Sequence, residues 1–263
     1  MHPDFTVLAT DLPATLVLAD TDGAAAWARS DDTISTVLTE QERNYAKEFD
    51  GEAALTWAAG RVVLRYVLGA VLDADPSSIE IRLDSAGKPR VEDIEFSVTR
   101  AQRLVLIAVS EDPVGVDLEA VPDAAVASEA LTLLHPRERE ELESLAGAEQ
   151  PSAQRPAAEQ SRAERSSAEQ FGAERSTAVR SEAEFLVAQQ PPAAQLALPE
   201  AFVRVWARKE AFLKALSTGL ARDPGMDYIG AGEVPESPHP DVGIHDLVEG
   251  VPAGYRAAIA FNR

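Results

Sequence analysis

The sequence RLVLIAVSEDPVGVDLEAV, residues 103–121, contains two consecutive apolar runs that decide the fold class. Its first eight residues favour a buried strand, and the Asp-Pro dipeptide turns the chain into a second strand. In this second strand Asp117 and Glu119 lie on the same face, because side chains alternate along a strand. The stretch therefore predicts two strands joined by a turn, the second of which presents a pair of carboxylates.

Helices and short strands surround this stretch without a regular βαβ alternation, a pattern that is typical of the α+β class. Thr39, with Glu42 three residues later, has the pattern of a capping box at the start of a helix. Pro199 begins another helix, which we expect to end at Gly219. The predicted strands are 16–20, 79–83, 103–110, 114–121 and 255–262, and the predicted helices are 39–49, 53–72, 135–145 and 199–219.

Residues 148–182 repeat every five residues, with alanine at the start of each unit. Five residues advance an α-helix by about 500°, so the repeated alanines cannot form one face. The segment has too few large apolar residues to offset its ordering entropy by burial. We therefore expect a disordered low-complexity insertion within the second of two α+β subdomains, 1–115 and 116–263.

The composition excludes several classes of protein. The chain has 263 residues, with 24 Lys plus Arg, 44 Asp plus Glu and a formal net charge of −20. Such a surface repels a phosphate backbone and anionic lipid, so we expect neither nucleic acid nor a membrane as partner. The absence of cysteine excludes disulfide scaffolds and thiolate catalysis. Without a basic leader or a long apolar run, a cytoplasmic protein is expected, and we expect a monomer.

The carboxylate pair of GVDLE allows two interpretations. Adjacent carboxylates repel each other at neutral pH unless a cation or a shared proton lies between them. A divalent cation such as Mg²⁺ takes one or two carboxylates and completes its shell with water and phosphate oxygens. The alternative is a solvated strand edge, and a bare Asp-x-Glu pattern leaves both interpretations open.

A second cluster lies in FVRVWARKEAFLKALSTGL, residues 202–220. Glu210 and Lys214 stand four residues apart on one helix face, a spacing that an exposed ion pair also explains. Lys209 falls in a neighbouring stripe that is otherwise apolar, where an unpaired ammonium is unfavourable. An anionic partner for Lys209 is therefore expected.

Together these motifs resemble the paired signature of the 4′-phosphopantetheinyl transferase superfamily, G-[VI]-D-[ILV]-E followed by W-x-x-K-E-[AS]-x-x-K-x-x-G-x-G-L. WARKEAFLKALSTGL at 206–220 matches the second pattern except that Ser217 stands at the first glycine. Upstream, Gly87-Lys88-Pro89 matches the family's GKP turn. The resemblance covers about residues 38–262 without the repeat, and the length is similar to the larger, surfactin-synthetase-activating type.

This resemblance implies an enzyme that transfers the 4′-phosphopantetheine group of coenzyme A to a serine of an apo carrier protein and releases 3′,5′-ADP. Acyl and peptidyl carriers of fatty-acid or secondary-metabolite biosynthesis are the implied partners. The implied α+β fold has two similar subdomains related by a pseudo-twofold axis, with the site between them.

The resemblance also implies roles for individual residues. Asp117, Glu119 and Glu210 would hold Mg²⁺ on the pyrophosphate of coenzyme A. Glu210 would also accept the serine proton, and Lys214 would neutralise or protonate the departing phosphate, so these two are the expected catalytic residues. The residues expected to contact coenzyme A are Arg65, which falls at a family arginine, Lys88, Thr99, Arg100 and Lys209.

The chain departs from the family at the expected nucleotide contacts. Where the family has F-[NS]-[ILV]-S-H-[ST], residues 96–101 read FSVTRA, so Arg100 replaces a histidine that binds phosphate while Thr99 keeps a hydroxyl. Glu42 and Tyr45 stand in the early helix where basic residues are common. These departures favour one alternative, a non-catalytic paralogue that binds carrier proteins or coenzyme A. A further alternative is another Mg²⁺-dependent phosphotransferase that shares only the carboxylate set.

Overall fold

The computed structural model describes residues 5–30, 32–85, 87–148, 197–218 and 222–263. The predicted repeat insert therefore lies outside the described residues, apart from its first residue. Helices and strands mix irregularly along the chain, which agrees with the predicted α+β class. In chain order the elements are β1 (Phe5–Leu8), β2 (Thr15–Asp20), α1 (Thr21–Ser30), α2 (Thr33–Val37), α3 (Glu40–Ala46), α4 (Gly51–Leu72), β3 (Arg82–Leu83), β4 (Pro89–Arg90), β5 (Glu95–Ala101), β6 (Leu104–Ser110), β7 (Val114–Ala120), α5 (Ala124–Ala130), α6 (Pro136–Ala148), α7 (Leu198–Ala215), β8 (Val242–Leu247) and β9 (Tyr255–Asn262).

The strands form two larger antiparallel sheets and one small ribbon. The first sheet has the order β1-β2-β6-β5, the second has the order β7-β9-β8, and β3 pairs with β4 in the ribbon. β5 and β7 belong to different sheets but are joined by side chains. The backbone N–H of Val116 donates to Ser97 Oγ over 3.0 Å, and Thr99 Oγ1 donates to Asp117 Oδ1 over 3.0 Å. We call this junction the β5–β7 seam.

The long helix α4 packs on the first sheet. Its Val63 and Val67 are buried in one apolar cluster with Val105 and Ile107 of β6. Among the described residues it is the one helix that is long and apolar enough to cross a membrane, and 56% of its most apolar window is buried inside the protein. Core helices of globular proteins have the same length and composition, so α4 by itself indicates no membrane.

Helix α7 packs on the second sheet, and a glycine permits the close contact between them. Ala211 and Phe212 of α7 share an apolar cluster with Ala258 of β9. A Cβ atom on Gly115 would lie only 2.0 Å from the carbonyl oxygen of Ala211, far inside van der Waals contact. The glycine of GVDLE therefore lets the α7 backbone rest directly on β7, beside the two carboxylates.

Most predicted elements are present within a residue or two of their expected bounds. β6, β7 and β9 confirm the strands predicted over 103–110, 114–121 and 255–262. The predicted capping box is also confirmed: Thr39 Oγ1 accepts the backbone N–H of Glu42, whose carboxylate accepts the backbone N–H of Thr39.

The strand predicted over 79–83 is wrong in its first half, because β3 contains only Arg82–Leu83. The carbonyl oxygen of Ile79 accepts a hydrogen bond from Arg65 Nη1 over 3.0 Å. The same nitrogen binds the carbonyl oxygen of Pro76. A side chain thus satisfies this backbone segment where a strand would need a neighbouring strand.

Three predicted helix ends differ from the observed ones by three or four residues: α3 ends at Ala46, before 49, α6 continues to Ala148, beyond 145, and α7 ends early. Helix α7 ends at Ala215, short of the predicted Gly219, because Ser217 adopts a left-handed conformation with φ of 57°. The predicted division between residues 115 and 116 falls inside β7, although the whole of this strand pairs with β9. The division into two subdomains related by a pseudo-twofold axis stays a prediction.

Candidate functional site

Asp117 of β7 lies at the centre of the candidate site, and its side chain is almost fully buried. Its Oδ1 accepts hydrogen bonds from Lys214 Nζ over 2.6 Å and from Thr99 Oγ1 over 3.0 Å. Its Oδ2 is buried, and no hydrogen-bond partner for it is found among the described residues. One carboxylate oxygen thus accepts two hydrogen bonds, while the other has no described partner and could bind a ligand.

The negative charge of Asp117 acts on two further carboxylates, those of Glu119 and Glu210. Burial raises the pKa of Glu119 to about 7, with the charge of Asp117 adding to this effect, Lys214 opposing it and Glu210 adding to it. Burial likewise raises the pKa of Glu210, where Lys214 opposes the shift and Asp117 strengthens it. The structure therefore brings both predicted catalytic residues and all three predicted metal ligands into one region between β7 and α7.

The chemistry of this donor set fits a hard divalent cation. A buried carboxylate oxygen without a partner is unfavourable, and burial beside Asp117 disfavours the ionised form of Glu119, a cost that a bound cation would reduce. Across the described ranges, no three Asp, Glu or His side chains already converge in metal-binding geometry. Instead the ammonium of Lys214 provides the cation that Asp117 contacts.

A cavity of about 230 Å³ is lined in part by Lys214, the lysine whose ammonium contacts Asp117. The ammonium of Lys88 donates to the carbonyl oxygen of Lys214 over 3.0 Å and to Ser217 Oγ over 3.2 Å. Burial and the charge of Arg90 lower the pKa of Lys88, so this cation would gain from an anionic ligand. The residues lining the cavity are Gly87, Lys88, Pro89, Phe96, Ser97, Val98, Lys214 and Ser217.

Arg100 lies at the surface of the first sheet, with its side chain across α4. A Cβ atom on Gly60 would come within 2.9 Å of Arg100 Nε, so this glycine makes room for the guanidinium. One side of Arg100 is open to solvent, but burial on the other and the charge of Arg61 lower its pKa to about 10. Arg61 Nε is itself paired with Glu42 Oε1 at 2.6 Å, so of these two guanidiniums Arg100 is the one better suited to meet a phosphate.

Arg65 does not reach this region, which corrects its predicted contact with coenzyme A. Its side chain is fully buried and its Nε donates to both carboxylate oxygens of Glu42, at 3.1 and 2.9 Å. Its Nη1 binds the carbonyl oxygens of Pro76 and Ile79. These contacts give Arg65 a structural role in joining α3 and the segment after α4.

Lys209 is also placed away from the carboxylate cluster. The expected anionic partner exists and is Glu138 of α6, whose Oε2 lies 2.7 Å from Lys209 Nζ in a fully buried pair. Lys209 Nζ also donates to the carbonyl oxygens of Pro224 and Asp227. Because these three acceptors use all three N–H donors, the predicted contact of Lys209 with coenzyme A finds no free donor.

Sequence reasoning missed several residues that shape the site. Arg61 precedes Arg65 by one helical turn. No pattern in the neighbouring sequence shows that Arg65 is the fully buried arginine and that Arg61 is the one near Arg100. The recognisable signal was at Ser217, where a serine replaces a family glycine. Glu138 had no signal, since it lies in a run of charged residues that resembles an exposed helix face.

Comparisons with known proteins agree with these motifs. Residues 113–239 match the model of the 4′-phosphopantetheinyl transferase superfamily. The chain is 30% identical over 122 residues to the 4′-phosphopantetheinyl transferase HetI of Nostoc sp., covering 43% of this chain and 52% of HetI. It is 29% identical over 90 residues to the 4′-phosphopantetheinyl transferase gsp of Aneurinibacillus migulanus, covering 34% of this chain and 38% of gsp.

These matches confirm the resemblance that the motifs indicate. The chain spans about half the length of HetI and a smaller share of gsp. The matched region 113–239 begins just before β7 and continues through α7, so it contains the carboxylates and the lysine of the candidate site.

Proposed function

We propose that this chain, on the premise of its match to the superfamily over residues 113–239, is a 4′-phosphopantetheinyl transferase. It moves the phosphopantetheine group of coenzyme A to a serine of an apo carrier protein and releases 3′,5′-ADP. The observation that carries the proposal is the contact of Lys214 with Asp117 beside Glu119 and Glu210, two carboxylates of raised pKa.

The proton transfers fall to two residues of α7. Glu210 accepts the proton of the acceptor serine as the serine oxygen attacks the phosphorus, and its raised pKa brings it nearer to neutral pH, as suits a general base. Lys214 neutralises or protonates the phosphate oxygen that leaves with 3′,5′-ADP. Such a reaction depends on positioning and charge stabilisation more than on a covalent nucleophile.

Asp117, Glu119 and Glu210 would hold Mg²⁺, which when bound would neutralise charge on the pyrophosphate of coenzyme A. The unpartnered Oδ2 of Asp117 supports this assignment. Thr99, whose hydroxyl already contacts Oδ1, orients that carboxylate and so acts on the substrate indirectly.

The cationic residues at and near the cavity would bind the phosphates of coenzyme A. Lys88 lies on the wall of the 230 Å³ cavity, close to the end of α7. Arg100 keeps a cation where the family has a histidine and adds a planar pair of donors.

The remaining parts of the proposal follow from the resemblance and from the composition and charge of the chain. The enzyme is of the larger, surfactin-synthetase-activating type and works as a monomer in the cytoplasm. Its partners are apo acyl or peptidyl carrier proteins of fatty-acid or secondary-metabolite biosynthesis, and neither nucleic acid nor a membrane is among them.

The test is to incubate the purified protein with coenzyme A, Mg²⁺ and a panel of apo carrier proteins from fatty-acid, polyketide and nonribosomal-peptide systems. Intact-mass measurement of each carrier is expected to show the addition of one phosphopantetheine group, with 3′,5′-ADP formed in equal amount. Tight carrier binding without any mass change would instead support the non-catalytic alternative.

A further inference from the structure

Ser217 connects the cationic β3–β4 ribbon to the end of α7. Its Oγ accepts a hydrogen bond from Lys88 Nζ over 3.2 Å and one from Arg90 Nη2 over 2.9 Å. Arg90 is held from its other side by carboxylates, through Nε to Asp84 and Nη1 to Glu95. Two cations from the ribbon therefore converge on one hydroxyl at the helix end.

The backbone at Ser217 favours glycine, which makes the serine informative. The N–H of Ser217 donates to the carbonyl of Lys214, and the N–H of Thr218 donates to that of Leu213. This is the Schellman pattern, whose left-handed position is usually glycine because glycine has no Cβ. Ser217 holds the strained conformation at φ 57°, and the one group it adds in exchange is the hydroxyl.

The hydroxyl places Lys88 where a phosphate-bearing ligand would meet it. The carbonyl of Lys214 and Ser217 Oγ take two of the three N–H donors of the Lys88 ammonium. Glu95 Oε2 lies 3.9 Å from the same nitrogen, beyond hydrogen-bond distance, so the third donor is not taken by this carboxylate. Lys88, Lys214 and Ser217 all line the same cavity. With both lone pairs of Oγ occupied, the hydrogen of the Ser217 hydroxyl is also left to point away from the two cations.

We infer that Ser217 is a positioning residue for coenzyme A, which holds the ammonium of Lys88 on the cavity wall in the orientation that receives a phosphate. The inference rests on the proposed function, since it names the residue that prepares one of the proposed phosphate contacts. A glycine at this position would keep the helix end but would leave Lys88 with one fixed partner fewer.

A matched pair of variants separates the hydroxyl from the backbone. Ser217→Gly removes the hydroxyl and the strain, whereas Ser217→Ala removes the hydroxyl and keeps the strain. Both variants lose the charge-assisted hydrogen bond that Lys88 donates to Ser217 Oγ. This loss predicts that both raise the KM for coenzyme A about 3–10-fold, with kcat within about twofold of wild type. Calorimetry without any carrier should show the same loss of coenzyme A affinity, and Ser217→Gly should have the higher Tm of the two.

A double variant tests whether the effect passes through Lys88. In a Lys88→Met background, Ser217→Ala should cause no further loss of coenzyme A affinity, because the positioned group is gone. Equal coenzyme A affinity in wild type and both single variants would overturn the inference, as would a loss in Ser217→Ala that Ser217→Gly does not share. Failure of the proposed function is distinguishable, because it appears as absent carrier modification by the wild type itself.

Discussion

Lys214 Nζ lies 2.6 Å from Asp117 Oδ1, so the lysine proposed to act in catalysis and a proposed metal ligand neutralise each other. The contact links the end of α7 to the middle of β7 and leaves Asp117 Oδ2 without a described partner. A divalent cation bound to Asp117 would compete with the ammonium for negative charge. We therefore expect metal binding and the release of Lys214 toward phosphate to be coupled.

The first prediction follows from this coupling. Lys214→Met should lower the rate of carrier modification by about a hundredfold or more, because the charge on the departing phosphate is left uncompensated. The same variant should bind Mn²⁺ roughly tenfold more tightly, because a competing cation has been removed. Paramagnetic resonance of Mn²⁺ measures the affinity without coenzyme A. Lys47→Met, which alters a lysine bonded to Asn44 at the surface, should change neither value, and unchanged Mn²⁺ binding in Lys214→Met would contradict the coupling.

Glu210→Gln should abolish carrier modification while leaving the fold intact. The amide keeps the size of the side chain but cannot accept the serine proton or provide a full negative charge. Intact-mass analysis of the carrier measures the loss, and circular dichroism with thermal unfolding checks the fold. Near-normal turnover would remove Glu210 from the catalytic residues.

The stability of the metal-free protein should depend on Glu119 in a defined pH range. Its pKa rises from 4.5 to about 7 on folding, so between these values the folded protein holds a proton that the unfolded chain has released. Its contribution to stability is thus fully present below pH 4.5 and is lost as the pH rises through 7. In EDTA, Glu119→Gln should therefore raise the Tm at pH 8 but not at pH 4.5.

The matched control for this experiment is Glu249→Gln, which alters an exposed carboxylate in a turn. It should leave the Tm unchanged at both pH values. An equal effect of Glu119→Gln at pH 4.5 and pH 8 would show that packing, and not the shifted pKa, is responsible.

Gly115→Ala should destabilise the protein severely. The new methyl group would lie 2.0 Å from the carbonyl oxygen of Ala211 and 2.4 Å from the backbone nitrogen of Ala215, so α7 must move away from β7. Overpacking against backbone predicts a loss of about 3 kcal/mol in the free energy of unfolding. Urea denaturation measures this loss. Gly23→Ala in α1, where a Cβ meets nothing within 4 Å, should be neutral or slightly stabilising.

Lys209→Met tests the structural role assigned to this lysine. Removing one member of the buried pair leaves the carboxylate of Glu138 without a counter-charge, which predicts a loss of about 3–5 kcal/mol in the free energy of unfolding. Adding Glu138→Gln should restore part of that stability, because no uncompensated charge remains. The affinity of the folded Lys209→Met protein for coenzyme A should equal that of wild type, and a large loss of affinity would restore the direct contact predicted from the sequence.

Local patterns were sufficient to predict most of the secondary structure. The alternation and apolar content of residues 255–262 predict β9, and the Thr39 and Glu42 spacing predicts the capping box, because both depend on neighbours along the chain. The end of α7 was less predictable. Serine at position 217 hides a left-handed conformation that glycine would have signalled.

Partners that are distant in sequence could not be predicted in the same way. The apolar stripe around Lys209 correctly indicated an anion, but only the packing of α6 on α7 identifies it as Glu138. Arg61 and Arg65 stand one helical turn apart on α4 and both bind Glu42. Only the packing of the fold shows that Arg65 is the fully buried one. The sequence therefore predicted the position of the carboxylate cluster on β7 and α7 better than the surroundings of the residues expected to contact coenzyme A.

At the β5–β7 seam, side chains determine the distance between the two sheets. Neighbouring strands within one sheet are held about 4.8 Å apart by their backbones, whereas here the hydroxyls of Ser97 and Thr99 span the gap. Substitution at these two positions can increase or decrease the distance between the sheets, while each sheet keeps its own backbone hydrogen bonds. Because the Thr99 hydroxyl also bonds Asp117, a substitution at Thr99 alters the distance between the sheets and the hydrogen bonding of that carboxylate together.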